Sequence, residues 1–314
     1  MDIQEDIIKK DRTIALELAD RVRIMQARLP QVLELAKSCQ LCPRACGVNR
    51  LEDELGVCAI GGKPAYSSAN LHFGEEPPIS GVSGSGTIFL TGCNLNCRFC
   101  QNYPISQLRH GNRITVEVLA ALMLDLQSQG AHNINFVTPT HQAHAIFEAL
   151  IIAYRRGLRI PLVYNSGGYE SVEMLRLWDL IIDIYMPDAK YGQAKPAEEI
   201  SNAPDYPKYN RIALKEMHRQ VGVLKLNDLG VAERGLLIRH LVLPGGLAGS
   251  REVFRFIAEE LSRETYISMM SQYFPAYAAH KHELLQRPVT RAEYKDAIRA
   301  LEEFNLENGW IQPK

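Results

Sequence analysis

The chain has 314 residues, enough to bury a large core, and with 46% hydrophobic and 23% charged residues its composition is that of a globular protein. Its formal net charge of −1 at pH 7 provides no overall field that would attract nucleic acid or an anionic membrane surface. The first residues, MDIQEDIIKKDRTIALELADRV, are too charged for a signal peptide, and no apolar run approaches the length that spans a membrane. We therefore expect a cytoplasmic protein, in which clustered cysteines bind metal or take part in redox chemistry rather than form disulfides.

The pattern along the chain predicts two units, an N-terminal subdomain of residues 1–86 and a larger unit of residues 87–314. Residues 1–38 are predicted to be helical, because apolar residues recur there at loosely helical spacing. Residues 39–58 hold four of the seven cysteines, and residues 59–86, which include GEEPPISGVSGSG, are expected to be loop-rich. The N-terminal subdomain is therefore expected to be small, helical and cysteine-rich.

From Thr87 onward, short apolar segments alternate with helix-like segments. The predicted strands are 87–91, 133–137, 161–164, 181–186, 236–243 and 266–270. The predicted helices are 115–129, 142–156, 170–179, 207–221, 250–262 and 290–306. This alternation indicates parallel strands joined by right-handed crossovers, and the same local pattern fits a partial (βα)6 barrel or a doubly wound sheet.

The residues that follow the predicted strands favour the barrel. Each strand is followed by polar residues, Gly or Pro, and in a barrel all these loops meet on one rim, where barrel enzymes keep their chemistry. Gly and Pro punctuate any α/β fold, but this does not explain why Asp188, Lys190, His141, Asn165 and Gln272 all fall at these edges. We therefore predict an α/β fold of the partial (βα)6 TIM-barrel type.

The stretch GCNLNCRFCQN after the first predicted strand holds three cysteines, Cys93, Cys97 and Cys100, with no fourth nearby. A four-iron cluster ordinarily takes four thiolates, so three would leave one iron with an open coordination position. Catalytic zinc sites likewise have three protein ligands and keep one position for chemistry. The trio therefore predicts a reactive iron–sulfur cluster, and the alternative is a zinc site completed by a distant histidine.

The CxxxCxxC order after the first strand of a βα barrel, with Phe99 before the last cysteine, resembles the radical S-adenosylmethionine (SAM) superfamily. The resemblance implies a [4Fe-4S] cluster whose open iron binds SAM, with Phe99 close to these cofactors. It also implies an oxidoreductase-type reaction in which the reduced cluster cleaves SAM and a 5′-deoxyadenosyl radical takes a hydrogen atom from the substrate. A low-potential flavodoxin or ferredoxin is implied as the electron donor.

Several strand-end motifs resemble those of glycyl-radical-enzyme activases, the group that contains the activating enzyme of pyruvate formate-lyase. PDAKY is similar to that family's Asp-x-Lys element, which implies that Asp188 and Lys190 hold the polar end of SAM. RHLVLPGG resembles its Arg-x-Val-x-Pro-Gly strand, which implies that Arg239 contacts SAM. YNSGGY implies a SAM contact for Asn165, although Tyr164 stands where activases commonly carry Asp.

The wider resemblance is to a set of radical SAM proteins labelled activating-enzyme-like, or PflX, and it covers the chain from Cys39 to about Tyr294. The motifs that carry it are CxLCPRxCGVNR, HFGEEPPISG, GCNLxCxFCQN, NINxVTPTH, RHLVLP and QYxP. The superfamily's Gly-Gly-Glu element is replaced here by VTPTHQ, so Thr138, Thr140 and His141 are the candidates at that position.

The stretch CQLCPRACGVNRLEDELGVC predicts a second metal site. Its four cysteines are Cys39, Cys42, Cys46 and Cys58. Four thiolates saturate either a second [4Fe-4S] cluster or one zinc ion, so this site is expected to be closed to SAM. A cluster would relay electrons or bind substrate, whereas zinc would fasten the subdomain to the barrel. Arg44, beside the ligands, is a candidate for stabilising their negative charge.

Five residues are candidates for direct roles with the substrate. Glu75 and Glu76 would act as a substrate clamp or acid/base if their loop lies over the barrel mouth, or be solvated if it does not. His141 would either face the active site or cap the following helix. Gln272 and Tyr273 follow the last predicted strand, toward the mouth, although Tyr273 is also suited to packing beneath the C-terminal helix.

Three functions remain open on the sequence. The first is an activase that removes a hydrogen atom from a glycine of a partner glycyl radical enzyme. The second is a radical SAM enzyme that acts directly on a small molecule, since the cysteine-rich subdomain would cover the opening that a protein loop would need. The third is a non-catalytic iron–sulfur or zinc protein, which would not cleave SAM.

Overall fold

The computed structural model describes residues 18–313. The strands in chain order are β1 (Ala65–His72), β2 (Ser85–Leu90), β3 (Asn112–Arg113), β4 (Ile134–Val137), β5 (Leu162–Ser166), β6 (Ile184–Pro187), β7 (Lys225–Leu226), β8 (Ala232–Leu241), β9 (Tyr266–Met270) and β10 (Gly309–Ile311). The helices are α1 (Leu18–Lys37), α2 (Pro77–Ser80), α3 (Tyr103–Ser106), α4 (Val116–Ser128), α5 (Ala143–Arg155), α6 (Val172–Leu177), α7 (Ala194–Ser201), α8 (Tyr206–Val221), α9 (Ser250–Phe256) and α10 (Arg291–Glu303). A π-helical turn, Ile257–Leu261, continues α9. The first part of the predicted N-terminal helix, residues 1–17, lies outside the described residues.

One sheet organises the molecule, with strand order β3–β1–β2–β4–β5–β6–β8–β9–β10 and β7 paired to β8. From β2 to β10 along this path the neighbours are parallel, and the order follows the chain without a reversal. A doubly wound sheet reverses its strand order at a switch point, whereas a βα barrel keeps chain order. The predicted α/β fold is confirmed. Within the described residues the two ends of the sheet do not pair with each other, so the sheet is open and not a closed barrel.

The six predicted strands correspond to β2, β4, β5, β6, β8 and β9, with ends displaced by a few residues. Their apolar residues are buried, as expected where helices cover one face of a parallel sheet and core side chains fill the other. The predicted helices likewise match α4, α5, α6, α8, α9 and α10. An additional short helix, α7, precedes α8 and was not predicted.

The prediction that residues 59–86 are loop-rich is wrong for Ala65–His72. These residues form β1, which pairs antiparallel with β2 from Tyr66 opposite Leu90 to His72 opposite Ser85. The segment AYSSANLH carries few of the residues that favour strands, so its pairing depends on the edge that β2 offers rather than on local propensity.

Helix α1 packs against α5 on the outside of the sheet. Its Met25 and Val32 are fully buried, and Arg21 Nη1 donates to Asp183 Oδ2 over 3.0 Å. Arg28 Nη1 donates to the carbonyl of Leu177 over 3.1 Å. The boundary near residue 86 stays a prediction, but α1 and β1 both contact the parallel unit directly.

The parallel arrangement brings the carboxyl ends of β2, β4, β5, β6 and β8 to one edge of the sheet. The loops after these strands therefore share one side of the molecule, where barrel folds place their sites. Among residues 18–313, no helix combines the length and apolar character needed to cross a membrane.

Candidate active site and its cysteine loops

The three-cysteine loop begins directly after β2 and turns at Gly92. Gly92 has φ +78°, and a Cβ there would lie 2.8 Å from the carbonyl oxygen of Cys58, so only glycine fits this close approach. Ser201 Oγ donates to Cys97 Sγ over 3.0 Å, and the Cys100 thiol lies 3.0 Å from Ser106 Oγ. The thiols of Cys97 and Cys100 are therefore held by partners from α7 and α3.

The surroundings of Cys93, Cys97 and Cys100 disfavour free thiolates, so a bound positive metal centre would stabilise the thiolate form. Burial raises the pKa of Cys93 and of Cys97, and their neighbouring thiols raise both further, while Lys190 acts in the opposite direction on each. Three cysteines whose thiolate forms repel one another, with the cation of Lys190 nearby, fit a [4Fe-4S] cluster with one open iron. Among the described residues, no three His, Cys, Asp or Glu side chains are grouped so as to share one metal ion. The thiolates of a four-iron cluster each bind a different iron, so they are spaced more widely than the ligands of a single ion.

Next to the trio lies a buried polar network built from the ends of β5, β6 and β8. Lys190 Nζ donates to Asp188 Oδ2 over 2.5 Å, and Arg239 Nε donates to Asp188 Oδ1 over 2.9 Å. Arg239 Nη2 donates to Asn165 Oδ1 over 2.7 Å. Glu75 closes the network, with its Oε2 3.7 Å from Arg239 Nη1 and its Oε1 3.4 Å from Asn165 Nδ2. The residues predicted to bind the polar end of SAM therefore lie together.

The charges of this network are mutually dependent. Burial alone would raise the pKa of Asp188, but Arg239 and Lys190 hold it below the usual range. Burial alone would lower the pKa of Lys190, but Asp188 and Cys97 hold it above the usual range. Lys190 and Arg239 thus stay charged, and they can meet a carboxylate while Asp188 can meet an ammonium group.

Helix α8 positions the loops that carry this network. The Tyr206 hydroxyl donates to the carbonyl of Gly167 over 2.8 Å and accepts from the backbone N–H of Lys190 over 3.0 Å. Asn210 Nδ2 lies 2.9 Å from the carbonyl oxygens of Gly168 and Asp188. Nothing in the local pattern of α8 pointed to these roles, because their partners are in other loops.

Glu75 and Glu76 lie in this site rather than in solvent. They belong to the connection between β1 and β2, which lies at the amino ends of the parallel strands and not over the mouth as the sequence interpretation required, and Glu76 is nevertheless buried. Burial raises the pKa of Glu76 to about 7, with nearby Glu75 adding to the rise and Arg239 opposing it. A carboxyl group that changes charge near neutral pH is suited to acid/base work.

His141 lies behind this network, against the backbone of the three-cysteine loop. Its Nε2 is 2.7 Å from the carbonyl oxygen of Thr91, and burial lowers its pKa to about 4. Its side chain makes no cap to α5, whose N-cap residue is Gln142. His141 therefore supports the start of the cysteine loop as a neutral imidazole.

The remaining predicted residues have packing contacts. The ring of Tyr273 makes an edge contact with Phe99 at 5.9 Å between centroids, and its hydroxyl donates to the carbonyl of Leu285 over 2.6 Å. Gln272 is exposed, and its backbone oxygen accepts from Gln101 Nε2 over 3.0 Å. Phe99 and Tyr273 thus pack together behind the trio, while Gln272 adjoins the end of the three-cysteine loop.

One buried acid was not predicted. Glu170, after β5, accepts from Thr140 Oγ1 over 2.8 Å and from the Tyr164 hydroxyl over 3.1 Å. Burial raises its pKa to about 7. Two features of the sequence could have drawn attention to Glu170: its position in YNSGGYE after a strand, and Tyr164 where activases commonly carry Asp. The contact with Thr140 could not be predicted, because it depends on the fold. Thr138, also a candidate, has φ +62° and donates its N–H to the carbonyl of Asn165 over 2.7 Å.

In the four-cysteine loop, Arg50 rather than Arg44 contacts the thiols. Arg50 Nε donates to Cys39 Sγ over 2.9 Å, and Nη2 donates to Cys58 Sγ over 3.1 Å. Arg44 instead reaches the other cysteine loop, where its Nε donates to the carbonyl of Asn94 over 2.9 Å. The two cysteine loops are therefore in direct contact.

Comparison with known proteins identifies the class that this fold and site define. Residues 87–245 match the model of the radical SAM superfamily, and the chain belongs to that superfamily. Membership implies a [4Fe-4S] cluster and reductive cleavage of SAM.

Individual relatives resemble the chain along most of its length. It is 29% identical to the uncharacterized protein MJ0674 of Methanocaldococcus jannaschii, over 98% of this chain and 88% of that protein. It is 23% identical to the uncharacterized protein MJ0808 of the same organism, over 76% of this chain and 71% of that protein. A solved radical SAM methyltransferase from Sphaerobacter thermophilus shares the fold, with a TM-score of 0.51, 13% identity, and coverage of 95% of this chain and 94% of that one.

Proposed function

We propose that this protein is a radical SAM enzyme that removes a hydrogen atom from a small molecule bound beside Glu75 and Glu76. The observation that carries the proposal is the contact of Glu75 with Arg239 and Asn165 at the edge of the sheet. When bound, the cluster and SAM together supply reductive cleavage by one electron and the hydrogen-abstracting radical. The protein's part is to hold these groups, aim them and exclude water.

Each of the network residues has a role that its charge supports. Cys93, Cys97 and Cys100 would hold the cluster. Asp188 would accept from the ammonium group of SAM, and the cation of Arg239 would meet its carboxylate. Lys190 lies within the electrostatic reach of Cys97 and would also offset the negative charge of the cluster.

The two glutamates favour a small substrate over a protein loop. Their connection, which includes α2, lies at the amino ends of the parallel strands, where Asn133, just before β4, donates from its Nδ2 to the carbonyl of Ile79 over 2.8 Å. The Glu76 residue is only 7% exposed. This segment closes the amino end of the sheet, and Glu75 reaches Arg239 from that side. The space beside Arg239 is therefore enclosed at that end, which favours a small molecule. Glu76, with its pKa near neutral, is placed to exchange a proton with a polar group of the substrate.

The activase function is the second candidate, and the placement of Asp188, Lys190 and Arg239 together supports it. These residues lie in PDAKY and RHLVLPGG, the two motifs that resemble the activases. Under this function the hydrogen donor would be a glycine of a glycyl radical enzyme. A low-potential flavodoxin or ferredoxin would supply the electron in either case.

A direct test of the chemistry uses protein reconstituted anaerobically with iron and sulfide and reduced with dithionite. We expect 5′-deoxyadenosine to form from SAM, and Cys97→Ala to abolish it. Lys190→Gln should raise the KM for SAM by about tenfold or more, because it removes a charge-assisted contact. Lys215→Gln removes an exposed ion pair with Glu260 and should leave the KM unchanged. No 5′-deoxyadenosine from protein with a verified cluster would exclude the proposed function.

The two candidate functions differ in the source of the hydrogen atom. Cells grown in deuterated medium provide a deuterated ultrafiltrate of small molecules and a deuterated protein fraction. Under the small-molecule function, deuterium enters 5′-deoxyadenosine from the ultrafiltrate and not from the protein fraction. The opposite result would establish a protein substrate and favour the activase.

A further inference from the structure

The four-cysteine loop surrounds a buried arginine. Arg50 is 1% exposed, and it donates to Cys39 Sγ, to Cys58 Sγ and, over 2.5 Å, to the carbonyl of Ile60. Among residues 18–313, no ion pair joins Arg50 to a carboxylate. A guanidinium group stays protonated in proteins, so its charge is buried against sulfur.

The other two cysteines of the four-cysteine loop, Cys46 and Cys42, lie in the same region as Arg50. A Cβ at Gly56 would lie 2.6 Å from Arg50 Nη2 and 2.8 Å from Cys46 Sγ, so the Cys46 thiol lies beside the same guanidinium. Cys42 is 6% exposed, and the loop folds back on itself through the hydrogen bond from the Ala45 N–H to the Cys42 carbonyl, at 3.0 Å. Three of the four thiols therefore lie against or beside one cation, and Cys42 is near the thiols of Cys39 and Cys58.

A buried cation is stable only when its surroundings carry compensating negative charge. Neutral thiols do not supply that charge, whereas a cysteine bound to a metal is deprotonated outright. Four thiolates around a metal centre carry a net negative charge, which a single buried arginine partly offsets. The contacts of Arg50 with sulfur thus indicate a set of metal-bound thiolates.

The four-cysteine loop also adjoins the loop that holds the SAM cluster. The carbonyl oxygen of Cys58 is within 2.8 Å of the Cβ position of Gly92, next to Cys93. Arg44 donates to the carbonyl of Asn94 over 2.9 Å and to the carbonyl of Ser201 over 3.3 Å. A redox centre in this place would lie beside the cluster that needs an electron, whereas zinc has no redox chemistry.

We propose that Cys39, Cys42, Cys46 and Cys58 hold a second [4Fe-4S] cluster, that Arg50 is its counter-charge, and that it passes single electrons to the SAM cluster. Each electron comes from a low-potential donor protein, which is oxidised by one electron as the second cluster is reduced by one. The cluster returns to its oxidised state when it passes that electron on. The relay role rests on the proposed function, while the presence of the cluster and the role of Arg50 do not.

The cluster is tested in a chain that lacks the first site. The variant with Cys93→Ser, Cys97→Ser and Cys100→Ser, reconstituted anaerobically, should hold about four iron and four sulfide ions and give an electron paramagnetic resonance signal on reduction. The matched variant with Cys39→Ser, Cys42→Ser and Cys58→Ser should keep one cluster, whose signal changes when SAM is added. One zinc ion and no iron in the first variant, or no metal at all, would overturn the proposal.

The role of Arg50 is tested by reduction potential. In the variant with Cys93→Ser, Cys97→Ser and Cys100→Ser, adding Arg50→Gln should lower the reduction potential of the remaining cluster by at least about 59 mV, which is tenfold in a one-electron equilibrium. The reason is that reduction adds negative charge, which the arginine no longer offsets. Arg50→Lys keeps the charge and should restore most of the potential. Arg44→Gln is the control, since Arg44 contacts carbonyl groups and not sulfur. Equal potentials for Arg50→Gln, Arg50→Lys and the parent would overturn the counter-charge role.

The two proposals can fail separately. A loaded four-cysteine site in a protein that forms no 5′-deoxyadenosine would refute the proposed function and leave the second cluster standing. If Arg50→Gln does not fold, the neutral variant Arg50→Met takes its place in the measurement of potential, and the metal content of the variant without Cys93, Cys97 and Cys100 still decides whether the second cluster is present.

Discussion

Asp188 is the residue on which the charge balance of the site depends. It accepts from both Lys190 and Arg239, and the side chains of all three are less than a fifth exposed. We expect Asp188→Asn to lower the free energy of unfolding by about 3–5 kcal/mol, because two buried cations lose their shared anion. Urea denaturation of the metal-free protein measures this loss.

The control for this prediction is an exposed ion pair. Arg251 pairs with Glu303, whose side chain is 44% exposed. Glu303→Gln should cost about 0–1 kcal/mol, as is usual for surface pairs. If Asp188→Asn costs no more than Glu303→Gln, the network does not have the electrostatic role assigned to it.

The raised pKa of Glu170 predicts that the stability of the protein falls as the pH rises. Its carboxyl group titrates at 4.5 in the unfolded chain and at about 7 in the fold, so the folded state binds the extra proton between these values. Its contribution to stability is therefore present below about pH 4.5 and is lost as the pH rises toward 7, on the order of 3 kcal/mol in total.

Glu170→Gln isolates this effect. Glutamine keeps one acceptor oxygen and replaces the other carboxyl oxygen with an amide donor, much as the protonated acid does with its hydroxyl, but it does not ionise. The variant should match the parent near pH 5 and exceed its free energy of unfolding at pH 8, in urea titrations at both values. A difference that does not change between these pH values would show that Glu170 does not titrate in the folded state.

Among the helices, α10 has a well-defined start, because Thr290 caps its N-terminus. Thr290 Oγ1 accepts from the N–H of Glu293 over 3.2 Å, and Glu293 Oε2 accepts from the N–H of Thr290 over 2.7 Å. Glu293 Oε1 also accepts from the N–H of Gly245, over 2.7 Å, in the turn after β8. The cap therefore joins α10 to the strand that carries Arg239.

Thr290→Ala should lower the free energy of unfolding by about 1 kcal/mol, the usual value of an N-cap. Ser171→Ala at the start of α6 is the comparison, because its hydrogen bond to the N–H of Met174 is long, at 3.5 Å. We expect the smaller loss at Ser171. If Thr290→Ala and Ser171→Ala lower the urea midpoint equally, the second hydrogen bond of the Thr290 cap, from the Thr290 N–H to Glu293, adds no stability.

The elements that could be predicted are those whose signal is local. The parallel strands are short apolar runs between turn formers, so their existence and order followed from the sequence. Strand β1 could not be found in this way, because AYSSANLH becomes a strand only where β2 offers an edge. The site divides in the same manner. Asp188 was predicted from its place at a strand end, and Arg239 from the resemblance of RHLVLPGG to a known motif, whereas Arg50 and Glu170 owe their roles to partners that only the fold brings close.

At the scale of the whole molecule, the N-terminal region both bears a cysteine site and completes the sheet unit. Strand β1 covers the edge of β2, and α1 buries Met25 and Val32 against the parallel unit. The four-cysteine loop then follows α1 and meets the three-cysteine loop after β2. The two cysteine loops are therefore neighbours, and Arg44 of one donates to the carbonyl of Asn94 in the other.

This packing predicts that residues 87–314 do not fold as an independent unit. Without residues 1–86, β2 would lose its partner from Tyr66 to His72, and α5 would expose the face that α1 covers. We expect the fragment alone to lack a cooperative thermal transition by circular dichroism, and co-expression with the fragment of residues 1–86 to restore one. Cooperative unfolding of residues 87–314 alone would instead show that the N-terminal region is a separable domain, and the contact between the two cysteine loops would then be a docking of two folded units.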